Sequence, residues 1–71
     1  MNSVKYGEIC RLIRRINNLI DERRKLDFQS FDYEDITNSI RDTENELFGL
    51  QGVYGFKARL NRTGHYIFEI I

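Results

Sequence analysis

From Ile9 onward, apolar residues recur at alternating steps of three and four: Ile9, Leu12, Ile16, Leu19 and, past a charged Arg23, Leu26. Ile13 and Ile20 widen the stripe. That period predicts an amphipathic helix over about residues 4–27, with its regular part starting near Glu8 because Gly7 favours fraying. A second stripe, Tyr33, Ile36, Ile40, Thr43 and Leu47 with Phe48 adjoining, predicts a helix over about residues 32–48. Its start reads as Asp32 at the N-cap, with Glu34 and Asp35 in the first turn and Phe31 and Ile36 at the spacing of a hydrophobic staple. Gly49 followed by Leu50 suits a Schellman-type stop. The short connection around Phe28-Gln29-Ser30 makes the two helices antiparallel neighbours.

After Gly52 the period shortens to two. Phe56, Ala58 and Leu60 alternate with Lys57 and Arg59, and beyond Asn61-Arg62-Thr63-Gly64 the residues Tyr66, Phe68 and Ile70 alternate with His65, Ile67 and Glu69. This is the pattern of a β-hairpin over residues 53–60 and 65–71. Asn-x-x-Gly suits a type I turn followed by a left-handed glycine in a G1 bulge. Counting outward from that turn sets Leu60 opposite Tyr66, Ala58 opposite Phe68, Phe56 opposite Ile70 and Lys57 opposite Glu69. Two strands alone are marginal in water, so the aromatic face is expected either on the helix pair or against another hairpin across a dimer axis. Ile67, Ile71 and Val53 leave the opposite face less polar than a solvent side should be, which points weakly to a covering partner. The expected fold is α+β in the order α-α-β-β, an antiparallel helical hairpin followed by a C-terminal two-stranded β-hairpin.

Composition narrows the class without choosing a function. With 71 residues, 41% apolar, 31% charged, five glycines and no proline, the chain is one small domain and neither a disordered nor a fibrous sequence. A chain this short buries only roughly 60% of its unfolded surface, so association into a homodimer is the expected remedy. No apolar run approaches a membrane span and no secretory apolar segment opens the chain, so a cytoplasmic location without membrane contact is expected. The single cysteine, Cys10, excludes an internal disulfide and leaves no zinc framework, and no metal or organic cofactor is expected.

The formal charge of zero conceals a segregation. Residues 1–28 carry a net +3, residues 29–50 a net −5 and residues 51–71 a net +2. A basic helix beside an acidic one suggests mutual attraction across the pair. In size and charge-rich helices the chain resembles, in style alone, the small regulatory and host-interaction proteins of bacteria and their phages; it shares no motif with them.

No catalytic constellation is legible. His65 is the only histidine and its readings are a general base, a base-stacking contact or, far more often at a hairpin end, a pairing residue. Cys10 beside Arg11 and Arg14 has the surroundings of a reactive thiolate, yet a half-buried filler is the commoner role. The acidic residues of the second helix lie along a helix rather than around a point, which suits a solvated face better than a calcium site. The glycines around Tyr54 lack any phosphate-binding motif. Basic surface is the strongest feature: Arg11, Arg14, Arg15, Arg24 and Lys25 on the first helix, and Lys57, Arg59 and Arg62 on the hairpin, with Tyr54 and His65 nearby. Arginine offers planar bidentate contacts to carboxylate and phosphate alike. The expectation is therefore a non-enzymatic protein that binds and modulates a larger macromolecular partner, the alternative being an RNA- or DNA-binding module that uses the basic helix and hairpin.

Overall fold

The computed structural model describes residues 2–70, with the side chains of residues 2–5 outside that description. Helix α1 spans Asn2–Arg24, helix α2 spans Phe31–Tyr54, and strands β1 (Phe56–Leu60) and β2 (Tyr66–Ile70) form one antiparallel pair. The order α-α-β-β is the one the periodicities predict. Val53 belongs to α2 rather than to the hairpin, so it does not extend an apolar outer sheet face, and Ile71 lies outside the described residues.

The helix boundaries differ from expectation chiefly at three places. Gly7 does not delay α1, which runs through it and closes with Lys25 and Leu26 bonding back to Glu22 and Arg23. The N-cap of α2 is Ser30, not Asp32. Asp27 makes an Asx-turn, its carboxylate accepting the Gln29 N–H at 3.0 Å, so the chain has already reversed at Ser30, whose hydroxyl accepts the Tyr33 N–H at 3.1 Å. Phe31 thereby becomes the first helical residue and stands 86% exposed, so no staple forms. At the other end, Gly49-Leu50 does not stop α2, because continuing carries Leu50 and Tyr54 onto the core, and that packing outweighs the ~1 kcal/mol helical cost of each glycine. The stop is Gly55, left-handed at φ 72°, whose N–H returns to the Gln51 carbonyl at 3.0 Å.

The hairpin keeps its predicted register throughout: Phe56 opposite Ile70, Lys57 opposite Glu69, Ala58 opposite Phe68, Arg59 opposite Ile67 and Leu60 opposite Tyr66. Gly64 takes φ 82°, the Asn61 N–H meets the His65 carbonyl at 2.8 Å, and the turn is the bulged type I form. One detail changes: Glu69 faces Lys57 in register, but its carboxylate pairs with Arg59 Nε at 2.8 Å.

The core is one layer deep between the helix pair and the inner sheet face. Ile9, Leu12, Ile16 and Ile20 of α1 meet Ile40 and Leu47 of α2, closed over by Phe56, Ala58 and Tyr66. An edge-to-face ring pair, Phe48 with Tyr66, ties the hairpin to α2, and a second, Phe56 with Phe68, joins the two strands, each at 5.9 Å between centroids. Arg23, the charged gap in the first stripe, fits by laying its guanidinium over the Tyr33 ring and reaching the Thr37 hydroxyl at 3.3 Å.

Both sheet edges are blunted by amide side chains from the helices. Because Asn61 and His65 form a hydrogen-bonded pair, the next pair, Leu60 and Tyr66, turns its backbone groups outward. Asn17 occupies that edge on β2 like a missing strand, accepting the Tyr66 N–H at 2.6 Å and donating to its carbonyl at 3.0 Å. On β1, Gln51 accepts the outward Ala58 N–H at 2.6 Å. The aromatic face therefore rests on the helices of the same chain, and the edges carry devices that oppose pairing with another hairpin.

Candidate functional site

Burial of the α1 stripe fixes what remains outside. Arg11, Arg14, Arg15 and Asn18 are exposed and, with Gly7, Cys10 and Leu19, line an open groove of about 680 Å³ along the outer side of α1. Cys10 is exposed in this groove, not the half-buried filler its sequence position suggested. Arg11 donates to Glu8 one turn earlier at 2.6 Å, and that bond, reinforced by the charge of Glu8 and more weakly by Glu46 on α2, holds its guanidinium above its ordinary pKa. Arg14 and Arg15 have no ion pair or hydrogen bond among the described residues.

The attraction expected between the basic and acidic helices is not made through contacts. Among the described residues no ion pair joins α1 to α2; the pairs are Arg11–Glu8, Arg24–Asp21, Arg59–Glu69 and His65–Asp21. The acids of α2 instead point to solvent, with Asp35, Asp42 and Glu46 all exposed. Glu44 is the exception: half-buried, it accepts the Tyr66 hydroxyl at 2.6 Å. Burial and this bond push the Tyr66 phenol up to about 12.

The remaining basic residues divide into separate groups. Arg24 is spent on the hairpin, donating to the Thr63 carbonyl and standing 3.7 Å from Asp21. Lys25 lines a second cleft of about 370 Å³ at the α1–α2 connection, opposite Asp32 and Asp35. Lys57, Arg59 and Arg62 are exposed on the hairpin, where Arg59 is already paired. Tyr54 is half-buried and packs against the core, so it offers no free ring for stacking.

His65 acquires partners that the sequence did not reveal. Its Nε2 lies 2.6 Å from Asp21 Oδ1 on α1 and its Nδ1 lies 2.9 Å from the Thr63 hydroxyl. The His65 bond, together with the charges of His65, Arg24 and Lys25, holds the Asp21 carboxyl below its ordinary pKa. Carboxylate, imidazole and hydroxyl in that order resemble an acyl-transfer relay, but a relay also needs donors for an oxyanion. Here the Thr63 and His65 N–H groups both go to Asn61 Oδ1, each at 3.0 Å, and the Thr63 hydroxyl sits 2.7 Å from the same oxygen. The cluster is a brace between the turn and α1. Among the described residues no group of three or more potential metal ligands converges, and no helix is long and apolar enough to cross a membrane.

No protein-family model matches the chain, and neither a curated protein nor a solved structure matches it.

Proposed function

We propose that this chain is a small non-enzymatic cytoplasmic protein that binds and modulates a larger macromolecular partner, gripping an acidic protein surface with the outward face of α1. The observation that carries this reading is the pair Arg14 and Arg15, exposed and without a partner among the described residues, beside Arg11 around a groove with Cys10 and Leu19 on its walls. Arginine with adjoining apolar contact is the composition of interface anchors. A nucleic-acid surface is less well supported: Tyr54 and His65, the candidate stacking residues, are engaged inside the fold, and the exposed acids of α2 repel phosphate.

The test is affinity capture of the tagged chain from its native cell, comparing the wild type with the Arg14→Glu/Arg15→Glu double variant. One partner recovered in stoichiometric amount by the wild type, and lost with the variant, is expected. Equal recovery by both would overturn the reading, as would a gel-mobility shift with nucleic acid at low salt that the variant abolishes.

A further inference from the structure

The outward faces of the two helices match each other in spacing as well as in charge. On α1, Gly7, Arg11, Arg14 and Asn18 follow at steps of four, three and four, and on α2 so do Asp42, Glu46, Gly49 and Val53; all eight are exposed. Each set is one continuous helical seam. A Cβ added at Gly7 or Gly49 would meet nothing within 4 Å, so another helix has room to approach both seams.

We infer that the first acidic surface taken by the arginine face of α1 is the α2 face of a second copy, in a two-fold dimer that stacks two helical hairpins with the β-hairpins outside. This rests on the proposed reading of α1 as an acid-binding face. The symmetry fixes the register. A two-fold axis parallel to the helices places α1 antiparallel to the partner's α2 and leaves every residue at its own height. Within one chain two contacts bring Arg23 near the height of Thr37, which its guanidinium reaches, and Asn17 near that of Glu44, which Tyr66 bridges. At those heights Arg14 stands level with Glu46, Asn18 stands level with Asp42 and Arg15 lies about one turn from it, Arg11 crosses Gly49, and Val53, 71% exposed in one chain, fills the gap at Gly7. The same register carries Lys25 to Asp35. Unlike charges meet, and Val53, the one apolar side chain of the two seams, meets a glycine, without adjusting the alignment. A larger acidic partner would then compete with the second copy for the same arginines.

Charge exchange tests this by sedimentation equilibrium on the full chain. The wild type is expected to be a dimer of the 8.5 kDa chain. Arg14→Glu/Arg15→Glu and Asp42→Lys/Glu46→Lys should each weaken self-association at least about tenfold. Mixing the two variants restores both contacts in one heterodimer and should recover the wild-type mass, with circular dichroism confirming that each variant is folded. A wild type that is monomeric, variants that remain dimeric, or a folded mixture that stays monomeric would overturn the inference. Loss of partner capture by the Arg14/Arg15 variant alongside a monomeric wild type would reject the dimer while leaving the proposed function standing. If either double variant fails to fold, thiol cross-linking decides: Arg14→Cys mixed with Glu46→Cys, each also Cys10→Ser, should give a disulfide-linked pair, and its absence would count against the register.

Discussion

Asn17 shows how much a single polar side chain at the border of an apolar stripe can decide. It satisfies both outward backbone groups of Tyr66, holding β2 to α1 while closing the sheet edge. Asn17→Ala leaves both groups without their partner and should cost ~1–3 kcal/mol by denaturant melt. Asn17→Asp should also destabilise, since a carboxylate still accepts the N–H but opposes the carbonyl. Tyr66 makes a second residue-level prediction. Its phenol is pushed up to about 12, above the ordinary 10, so an unfolded chain ionises it first, and the stability it contributes is complete below pH 10 and lost as pH rises toward 12. Phenolate absorbance should show a late ionisation step near pH 12 that Tyr66→Phe removes. Asp21 works at the opposite end: its lowered pKa gives stability above the ordinary carboxylate range that fades as pH falls, so Asp21→Asn should flatten the acid limb of a pH–stability curve.

For the elements, the starts and stops test the account better than the middles. With Ser30 as N-cap, Ser30→Ala should cost ~1 kcal/mol, whereas Asp32→Ala, removing only a first-turn charge, should give a smaller loss that salt screens away. Equal losses would return the cap to Asp32. These boundaries mark what the sequence could carry. The hairpin register was legible because turn chemistry, alternation and cross-strand pairing all bear on the same few residues. The α2 ends were not. Asp27 turns the chain two residues early through a local side-chain bond, and Gly49 and Gly52 are overridden by packing of Leu50 and Tyr54 against the core, which is tertiary rather than local. The arginine face was legible residue by residue, as helical spacing. That no ion pair joins it to the acidic helix among the described residues was not, because complementary charge in a sequence does not say whether side chains meet. The Asp21–His65 bond, 44 positions apart, had no local signal at all.

At the scale of the molecule, a single thin core holds together a chain whose opposite charges lie on different helices. Leu47 is fully buried at its centre, and Leu47→Ala should remove ~2–5 kcal/mol, comparable to the whole ~3–5 kcal/mol expected of so small a core, leaving the chain largely unfolded at room temperature. The charges play another part. Because Arg14 and Arg15 are unpaired among the described residues and Asp42 and Glu46 point to solvent, the helical layer offers two complementary outer seams, while Asn17 and Gln51 oppose association through the sheet. The most direct measurement is residue-resolved: backbone amide chemical shifts recorded as the protein is diluted from millimolar to low micromolar concentration. Movement along the outer seams of α1 and α2, over residues 7–25 and 35–53, with the hairpin still, is the predicted result; shifts that move in β1 and β2 instead, or nowhere, would contradict it.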